Sequence, residues 1–239
     1  MHKKPKSKSK KTLSIIENTR KHSQFDYAEV YRHIRTNIEF STIDKNIKSD
    51  AITSTQPNEA KSTTALNLAF SFAAKYKRVL LIDCDLRNPS LHKFLRLSNL
   101  TGLTNSLINY RKTHKVGVEH FQKIEHPSFV NDLTILTSGI RVANPSELLS
   151  SNTFKEYMEV LYEYFDFIVI DCAPAGVISD AIPIGNVVDG TIFIVSCQDT
   201  NRKDALYCIK LLQRNNVNIL GSVLTKADTT TKNYYYYYG

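Results

Sequence analysis

Short runs of purely apolar residues recur along the chain, and stretches with helical periodicity separate them. The runs predict six strands, at Ala51–Ser54, Val79–Asp83, Leu133–Thr137, Phe167–Asp171, Thr191–Ser196 and Ile219–Leu224. Helices are predicted near 62–76, 145–149, 152–164, 178–186 and 202–214. Several strands are apolar on both faces, as in a parallel sheet that helices cover on both sides. The alternation therefore predicts a single α/β domain, doubly wound around a mostly parallel sheet.

The composition agrees with a folded, water-soluble domain. The chain has 239 residues, of which 42% are hydrophobic, so it can bury a sizeable core and is not a disordered chain. Its longest apolar runs fall far short of the ~20 residues of a membrane-spanning helix, and no apolar run follows the basic N-terminus as a secretory signal requires. The four cysteines lack CxxC spacing, which favours reduced thiols over a zinc site or a disulfide framework.

The positive charge is concentrated at the N-terminus. Residues 1–12 contain six lysines and no acid, out of a net charge of +8. Such a segment is either a solvated leader or a contact for an anionic surface. We expect a disordered leader over 1–25, a folded domain over 26–228 that opens with a helix at 26–40, and a flexible tyrosine-rich tail over 229–239.

A phosphate-binding loop is predicted between the first strand and the next helix. Strand, loop, Lys-Ser and helix follow one another as in a P-loop, whose backbone N–H groups cradle phosphates. Lys61 would reach the β- and γ-phosphates, and the Ser62 hydroxyl would bind Mg²⁺. Thr55 and Ala60 replace the two glycines of the usual pattern. If Ala60 must take a left-handed backbone, the cost is about 1–2 kcal/mol, which would weaken nucleotide binding. The predicted nucleotide contacts are Thr55, Gln56, Pro57, Asn58, Glu59, Ala60, Lys61, Ser62 and Thr63.

Carboxylates follow two of the predicted strands. Asp83 and Asp85 end one strand, and Asp171 ends another. Ligands of open α/β sheets bind beyond the carboxyl ends of the strands, so we expect the three carboxylates to converge near the loop. Their charge calls for a cation, and Mg²⁺ with oxygen ligands fits. The alternative is that each aspartate caps a turn.

These segments together resemble the bacterial tyrosine kinases of capsule and exopolysaccharide assembly. The resemblance rests on the loop, the segment Asp83-Cys84-Asp85-Leu86-Arg87 and the strand that ends at Asp171. Four further stretches match the family's pattern: Glu29–Arg35 (ExxRxxR), Leu136–Gly139, Asn144–Leu149 (NPSELL) and the tyrosine cluster Asn233–Gly239. The resemblance covers roughly residues 27–239.

The resemblance implies a P-loop fold and an ATP- and Mg²⁺-dependent, non-specific protein-tyrosine kinase. It implies that Asp83 is the base that faces the acceptor tyrosine, with Lys61 and Asp85 also catalytic. Ser62, Asp85 and Asp171 would hold the metal ion. Thr225 stands where the family usually has an asparagine for the adenine, so it would lie at the base.

The resemblance also implies an assembly. In a closed ring, each tail would enter the site of a neighbouring copy and be autophosphorylated in trans. Glu29, Arg32 and Arg35 would form the subunit interface; by periodicity alone they lie away from the apolar stripe and equally suit a solvated face. The acceptors would be Tyr234, Tyr235, Tyr236, Tyr237 and Tyr238.

The implied setting is cytoplasmic, at the inner face of the membrane. There the cytoplasmic segment of a separate membrane adaptor would recruit and activate the kinase. The further partners would be a cognate phosphotyrosine phosphatase and protein-tyrosine substrates, and no nucleic acid. The process it would regulate is capsule and exopolysaccharide synthesis and export.

Two other functions remain open from the sequence. A partition-type P-loop ATPase carries a second lysine five residues before the Lys61 position, where this chain has Gln56. A catalytically weak regulatory or scaffold subunit that binds nucleotide would be consistent with Ala60 and Thr225.

Overall fold

A seven-stranded sheet runs through the part of the chain that the structure describes. The structure is a computed structural model, and it describes residues 27–41, 47–124 and 131–228. The strands are β1 (Ser49–Ser54), β2 (Val79–Asp83), β3 (Gln122–Ile124), β4 (Leu133–Leu136), β5 (Phe167–Asp171), β6 (Gly190–Ser196) and β7 (Ile219–Thr225). The helices are α1 (Tyr27–Phe40), α2 (Lys61–Ala73), α3 (Leu91–Leu95), α4 (Leu103–Thr113), α5 (Pro145–Leu149), α6 (Asn152–Tyr164), α7 (Ala181–Gly185) and α8 (Arg202–Arg214). A single 3₁₀ turn, Val118–His120, precedes β3.

The order of the strands is β3-β4-β2-β5-β1-β6-β7. All neighbouring pairs are parallel except β3 and β4. The chain leaves β1 towards β2 on one side, and β6 later pairs with β1 on the other side. This reversal of direction makes a crevice beyond the carboxyl ends of the central strands, where α/β proteins bind ligands.

Each face of the sheet carries its own apolar core, because successive side chains of a strand point to opposite faces. Leu81 packs in the cluster beneath α1 and α2, which also contains Leu68 and Phe72. Its neighbour Leu80 packs in the opposite cluster, beneath α4, α6, α7 and α8. The predicted doubly wound α/β fold, apolar on both faces, is confirmed.

The six predicted strands and the predicted helices are present, with ends that differ by a few residues. The first strand begins two residues earlier than predicted, and helix α7 is shorter than the predicted 178–186. Strand β3 and helices α3 and α4 were not predicted. The predicted leader 1–25 and tail 229–239 lie outside the described residues.

Helix α1 differs from its predicted placement. A step of three residues falls about 60° short of a full helical turn, so Arg35 is rotated well away from Glu29. Arg35 is half-buried and donates a hydrogen bond from Nη1 to the Ser71 carbonyl of α2. Arg32 pairs with Glu29 of its own helix. The expectation that Glu29, Arg32 and Arg35 share one outward face is therefore wrong for Arg35.

No helix within the described ranges combines the length and the apolar character needed to cross a bilayer.

Candidate active site

The loop between β1 and α2 has the shape of a phosphate-binding loop although it contains no glycine. Asn58 and Ala60 both have a left-handed backbone, with φ of 67° and 68°. Ala60 is the N-cap of α2 and makes no side-chain cap, so the first N–H groups of the helix stay available to an anion. The left-handed conformation that would strain Ala60 is present.

Glu59 fixes this loop from beneath. Its side chain is fully buried, and its carboxylate accepts hydrogen bonds from the Gln56 N–H at 3.0 Å and from the Thr200 hydroxyl. The Thr225 hydroxyl donates to the Glu59 carbonyl at 2.9 Å. Glu59 was predicted as a nucleotide contact, but its buried side chain instead ties the loop to the ends of β6 and β7. The hydroxyl hydrogen of Thr225 is used by the loop backbone.

A cleft of about 440 Å³ opens beside the loop. It is lined by Pro57, Asn58, Ala60, Lys61, Ser62, Thr63, Asp85, Arg87, Asn88, Ser90, Phe94, Pro174, Val177 and Ile178. These residues come from three segments, which follow β1, β2 and β5. The cleft thus lies where the sheet topology places a ligand site.

Asp83 lies beneath the cleft and is not among the residues that line it. Its carboxylate is fully buried and accepts hydrogen bonds from the backbone N–H groups of Asp85 (3.3 Å), Ser90 (3.2 Å) and Leu91 (3.1 Å). Burial, and after it the neighbouring Asp171, raises the pKa of Asp83 well above its usual range. The geometry therefore gives Asp83 the task of shaping the loop after β2. Asp85 is the carboxylate that faces the cleft.

Asp171 is paired with Asp83 in the register of β2 and β5. It is fully buried, and neither of its oxygens has a hydrogen-bond partner among the described residues. Burial raises the pKa of Asp171 to about 7, although the Ser62 hydroxyl and the Lys61 ammonium act in the opposite direction. An unpartnered buried carboxylate is costly, and a cation beside it removes that cost.

Asp83, Asp85 and Asp171 lie near one another at the ends of β2 and β5, as expected, but they do not all face one ion. Within the described ranges, no group of three or more His, Cys, Asp or Glu side chains comes together as a metal-binding set. The oxygens of Asp83 face backbone N–H groups, which leaves Asp85, Asp171 and the Ser62 hydroxyl for an ion. These hard oxygen donors fit a divalent cation that keeps water or phosphate ligands.

Several side chains of the site had no role predicted from the sequence. Arg87 lines the cleft and is ion-paired with Asp180, which is 93 positions away. Arg87 could have been predicted as a site residue, because it closely follows the end of a predicted strand. Nothing in the local sequence indicated a role for Asp180 or Thr200, and nothing indicated that Glu59 is buried.

Comparisons with known proteins agree on one family. The model of an AAA domain family matches residues 47–215. The tyrosine-protein kinase YwqD of Bacillus subtilis is 38% identical over 212 residues, which cover 89% of this chain and 86% of the relative. The putative tyrosine-protein kinase CapB of Staphylococcus aureus is 33% identical, with 89% and 90% covered. This chain belongs to the bacterial tyrosine-protein kinases.

The solved structures agree with this assignment. The crystal structure of the chimerical protein CapA2B2 superposes on the chain with a TM-score of 0.76 at 32% identity, and 90% of each chain is covered. Membership of the bacterial tyrosine-protein kinases confirms the resemblance and disfavours a partition-type ATPase. The family implies that the site binds ATP with a divalent metal ion, which the loop and Asp171 fit.

Proposed function

We propose that this protein is an ATP-dependent protein-tyrosine kinase that phosphorylates Tyr234–Tyr238 of another copy and thereby regulates capsule and exopolysaccharide synthesis and export. The observation that carries the proposal is the position of Lys61 and Ser62, which line the cleft and lie close enough to the buried carboxylate of Asp171 to oppose the rise in its pKa. The kinase names of the relatives support tyrosine as the acceptor.

The loop and Lys61 would bind the triphosphate. The N–H groups at the start of α2 would bind phosphate oxygens, and the ammonium of Lys61 would neutralise charge on the β- and γ-phosphates. Ser62, Asp85 and Asp171 would hold Mg²⁺, which when bound neutralises the phosphate charge. Thr225 lies at the end of β7, and we place the adenine on that side of the loop.

Asp85 would receive the proton of the acceptor tyrosine. A tyrosine hydroxyl has an ordinary pKa of about 10, so the acceptor arrives protonated. Phosphoryl transfer has a loose transition state in which position and charge neutralisation matter more than the strength of the base. Asp83 would act through its hydrogen bonds to Asp85, Ser90 and Leu91, which fix the loop that carries Asp85.

We also propose a ring of copies and recruitment to the inner face of the membrane by the cytoplasmic segment of an adaptor. The name of the matched chimerical protein, CapA2B2, combines CapA and CapB, which supports a second component. The lysines of residues 1–12 would add attraction to anionic lipid. A phosphotyrosine phosphatase would reverse the modification.

A weak, nucleotide-binding scaffold is the second candidate. Its support is the left-handed Ala60, because a strained residue makes the nucleotide-binding shape of the loop costly to maintain. This function requires nucleotide binding without phosphotyrosine.

A phosphotyrosine assay separates the two functions. The full chain is incubated with Mg·ATP, alone and after co-expression with the adaptor's cytoplasmic segment, and probed with a phosphotyrosine antibody. We expect a signal that disappears in Lys61→Met and in a variant with all five tail tyrosines changed to Phe. Lys77→Met is the matched control, because Lys77 is exposed and lies outside the cleft. Nucleotide binding without any phosphotyrosine would favour the scaffold.

A further inference from the structure

The guanidinium of Arg87 is fixed by two other segments of the chain. Its Nε donates to Asp180 Oδ2 at 3.0 Å, and its Nη2 donates to Ser146 Oγ at 2.8 Å. The Ser146 hydroxyl in turn donates to the second oxygen of Asp180. Three side chains from the segments that follow β2, begin α5 and precede α7 thus form one closed hydrogen-bonded group.

The burial of this group is uneven. The side chain of Asp180 is 1% exposed, whereas that of Arg87 is 41% exposed. Arg87 lines the cleft, and neither Ser146 nor Asp180 does. Exposed ion pairs contribute little to stability, and burying a carboxylate is costly. We therefore interpret the buried Asp180 as a residue that positions the half-exposed Arg87, and not as one that stabilises the fold.

One edge of the guanidinium remains available. Nη1 has no hydrogen-bond acceptor among the described residues, although Nε and Nη2 are both used. A guanidinium stays charged at every relevant pH, and its planar fork matches phosphate oxygens. Arg87 is two residues from Asp85 and lines the same cleft as Lys61, the cleft in which phosphate would be transferred.

We propose that Arg87 binds an oxygen of the phosphoryl group in transfer, and that Asp180 and Ser146 are the residues that position it. This inference rests on the proposed kinase function. It gives Ser146, in the NPSELL segment, and Asp180 a role that neither could have by direct contact with substrate. During transfer, charge on the phosphoryl oxygens is what a fixed cation stabilises, so Arg87 would act on the rate more than on nucleotide affinity.

The test uses the full-length protein with two readouts. The first is the rate of tail phosphorylation with saturating Mg·ATP, and the second is the affinity for Mg·ADP with and without aluminium fluoride, which mimics the phosphoryl group in transfer. For Arg87→Gln we expect the rate to fall by about 100-fold or more, and the tightening of ADP by aluminium fluoride to be lost, with ADP affinity alone changed less than about 3-fold.

Positioning is tested by Asp180→Asn and Ser146→Ala. Each should lower the rate by about 10-fold or more, and neither should lower it further when Arg87 is already Gln, because both act through Arg87. Arg87→Lys should not restore the rate, since an ammonium cannot bond two anchors and a phosphate in the same geometry. Thermal unfolding checks that the variants fold. If Asp180→Asn does not fold, Ser146→Ala alone tests the positioning role.

Arg78→Gln is the matched control, because Arg78 forms an exposed pair with Asp166 outside the cleft. The proposal is overturned if Arg87→Gln keeps the wild-type rate and the fluoride effect, or if it weakens ADP alone as much as the fluoride complex. If the rate of the Arg87→Gln/Asp180→Asn double variant falls by the product of the two single losses, the positioning role of Asp180 is overturned. If the wild-type protein binds ADP more tightly with aluminium fluoride but forms no phosphotyrosine, the proposed function is overturned. The effect of Arg87→Gln on ADP binding with aluminium fluoride can then still be measured.

Discussion

Ala60 is the residue at which the loop departs most clearly from glycine-based phosphate loops. Its φ of 68° is one that glycine adopts without strain, whereas an L-residue with a Cβ pays about 1–2 kcal/mol. Asn58, at φ 67°, has a smaller penalty because its side chain tolerates this region. The buried carboxylate of Glu59 between them holds the strained loop in place through Gln56 and Thr200.

Replacing Ala60 by Gly should therefore stabilise the protein. The relief of strain exceeds the added entropy of the unfolded chain, and we expect a gain of about 0.5–1 kcal/mol in the free energy of unfolding. Urea denaturation measures this gain. Ala74→Gly is the control, since Ala74 is exposed and has an ordinary right-handed φ of −68°. A loss of stability in both variants would show that Ala60 is not strained.

Asp50 gives a pH dependence that can be measured. It lies fully buried in β1, and neither carboxylate oxygen has a hydrogen-bond partner among the described residues. Burial raises the pKa of Asp50 well above its ordinary value of 3.8. The folded state therefore retains a proton that the unfolded state releases, and stability is lost as the pH rises from the unfolded pKa towards the folded one.

We expect Asp50→Asn, which cannot ionise, to gain stability relative to wild type as the pH rises from 5 towards the folded pKa, by up to about 1.4 kcal/mol per pH unit. Urea unfolding at several pH values measures the difference. Asp166→Asn provides the control, because a hydrogen bond from Arg78 lowers the pKa of Asp166 from its ordinary 3.8, so its difference from wild type should stay constant above pH 5. Parallel stability curves for Asp50→Asn and wild type would contradict the expectation.

At the scale of single residues, the sequence predicted the loop and the strand-end aspartates because their positions follow from local pattern. Ala60 was identified as the site of strain from the missing glycine alone. The contacts of Glu59 with Thr200 and of Arg87 with Asp180 join positions 141 and 93 apart. Only the folded sheet brings such positions together, so pattern and spacing could not reveal them.

At the scale of elements, α1 is held to the body of its own subunit by Arg35. The Nη1 of Arg35 bonds the Ser71 carbonyl of α2, and the helix buries Ile38 in the core beneath it. Arg32 is exposed and contacts Glu29 of the same helix. The two arginines of the ExxRxxR segment thus differ in what they stabilise.

Arg35→Ala should lower the stability of a single subunit, and Arg32→Ala should leave it within about 0.5 kcal/mol of wild type. The loss at Arg35 combines a buried carbonyl without its donor and lost packing of the arginine stem, about 1–3 kcal/mol. Thermal unfolding at protein concentrations low enough to keep copies apart measures both. Equal losses in the two variants would mean that α1 does not use Arg35 for internal packing.

Helices α4 and α6 are joined by a buried hydroxyl pair, Ser106 Oγ and Tyr157 Oη, at 2.6 Å. Ser106→Ala leaves the Tyr157 hydroxyl without a partner, and we expect a loss of about 1–3 kcal/mol. Adding Tyr157→Phe should recover much of this loss, because the unsatisfied hydroxyl is then removed. Urea unfolding of the two single variants and the double variant measures the coupling, and strictly additive losses would contradict it.

The elements that the sequence missed are short or depend on distant partners. Helix α3 has five residues, too few for a periodic pattern, and β3 has three. Helix α4 is rich in Asn, Thr and Ser, which have low helix propensity. Its start is fixed by the Leu103 N–H, which donates to the Thr137 carbonyl after β4 at 2.7 Å. The long apolar strands needed no such help and were predicted within two residues.

At the scale of the whole molecule, the strand order sets the distance that the tyrosine tail would have to cover within one copy. Strand β7, which precedes the tail, is four strands from β2, and this separation is about 19 Å at the usual spacing. The six residues from 229 to 234 extend about 20 Å at most. An extended segment covers this distance, so the strand order permits transfer within one copy as well as transfer to a neighbouring copy.

A mixing experiment tests transfer between copies. Lys61→Met protein with an intact tail is combined with a catalytically intact variant whose tail tyrosines are Phe. We expect phosphotyrosine on the Lys61→Met chain, including Tyr234, at a rate that rises with the concentration of the intact partner; mass spectrometry locates the modified residues. If wild-type protein is modified at a concentration-independent rate and the Lys61→Met chain stays unmodified, transfer within one copy would be the correct description.

The central place of β1 has a consequence for synthesis on the ribosome. Ser49 of β1 pairs with Ile168 of β5, and Asp50 pairs with Gly190 of β6. The strand that carries the phosphate loop emerges first, yet it waits for more than a hundred residues of further translation, roughly 6–24 s, before either neighbour exists. During that interval both of its edges are open, so nascent chains halted before Asp171 are the species most exposed to aggregation and most in need of chaperones.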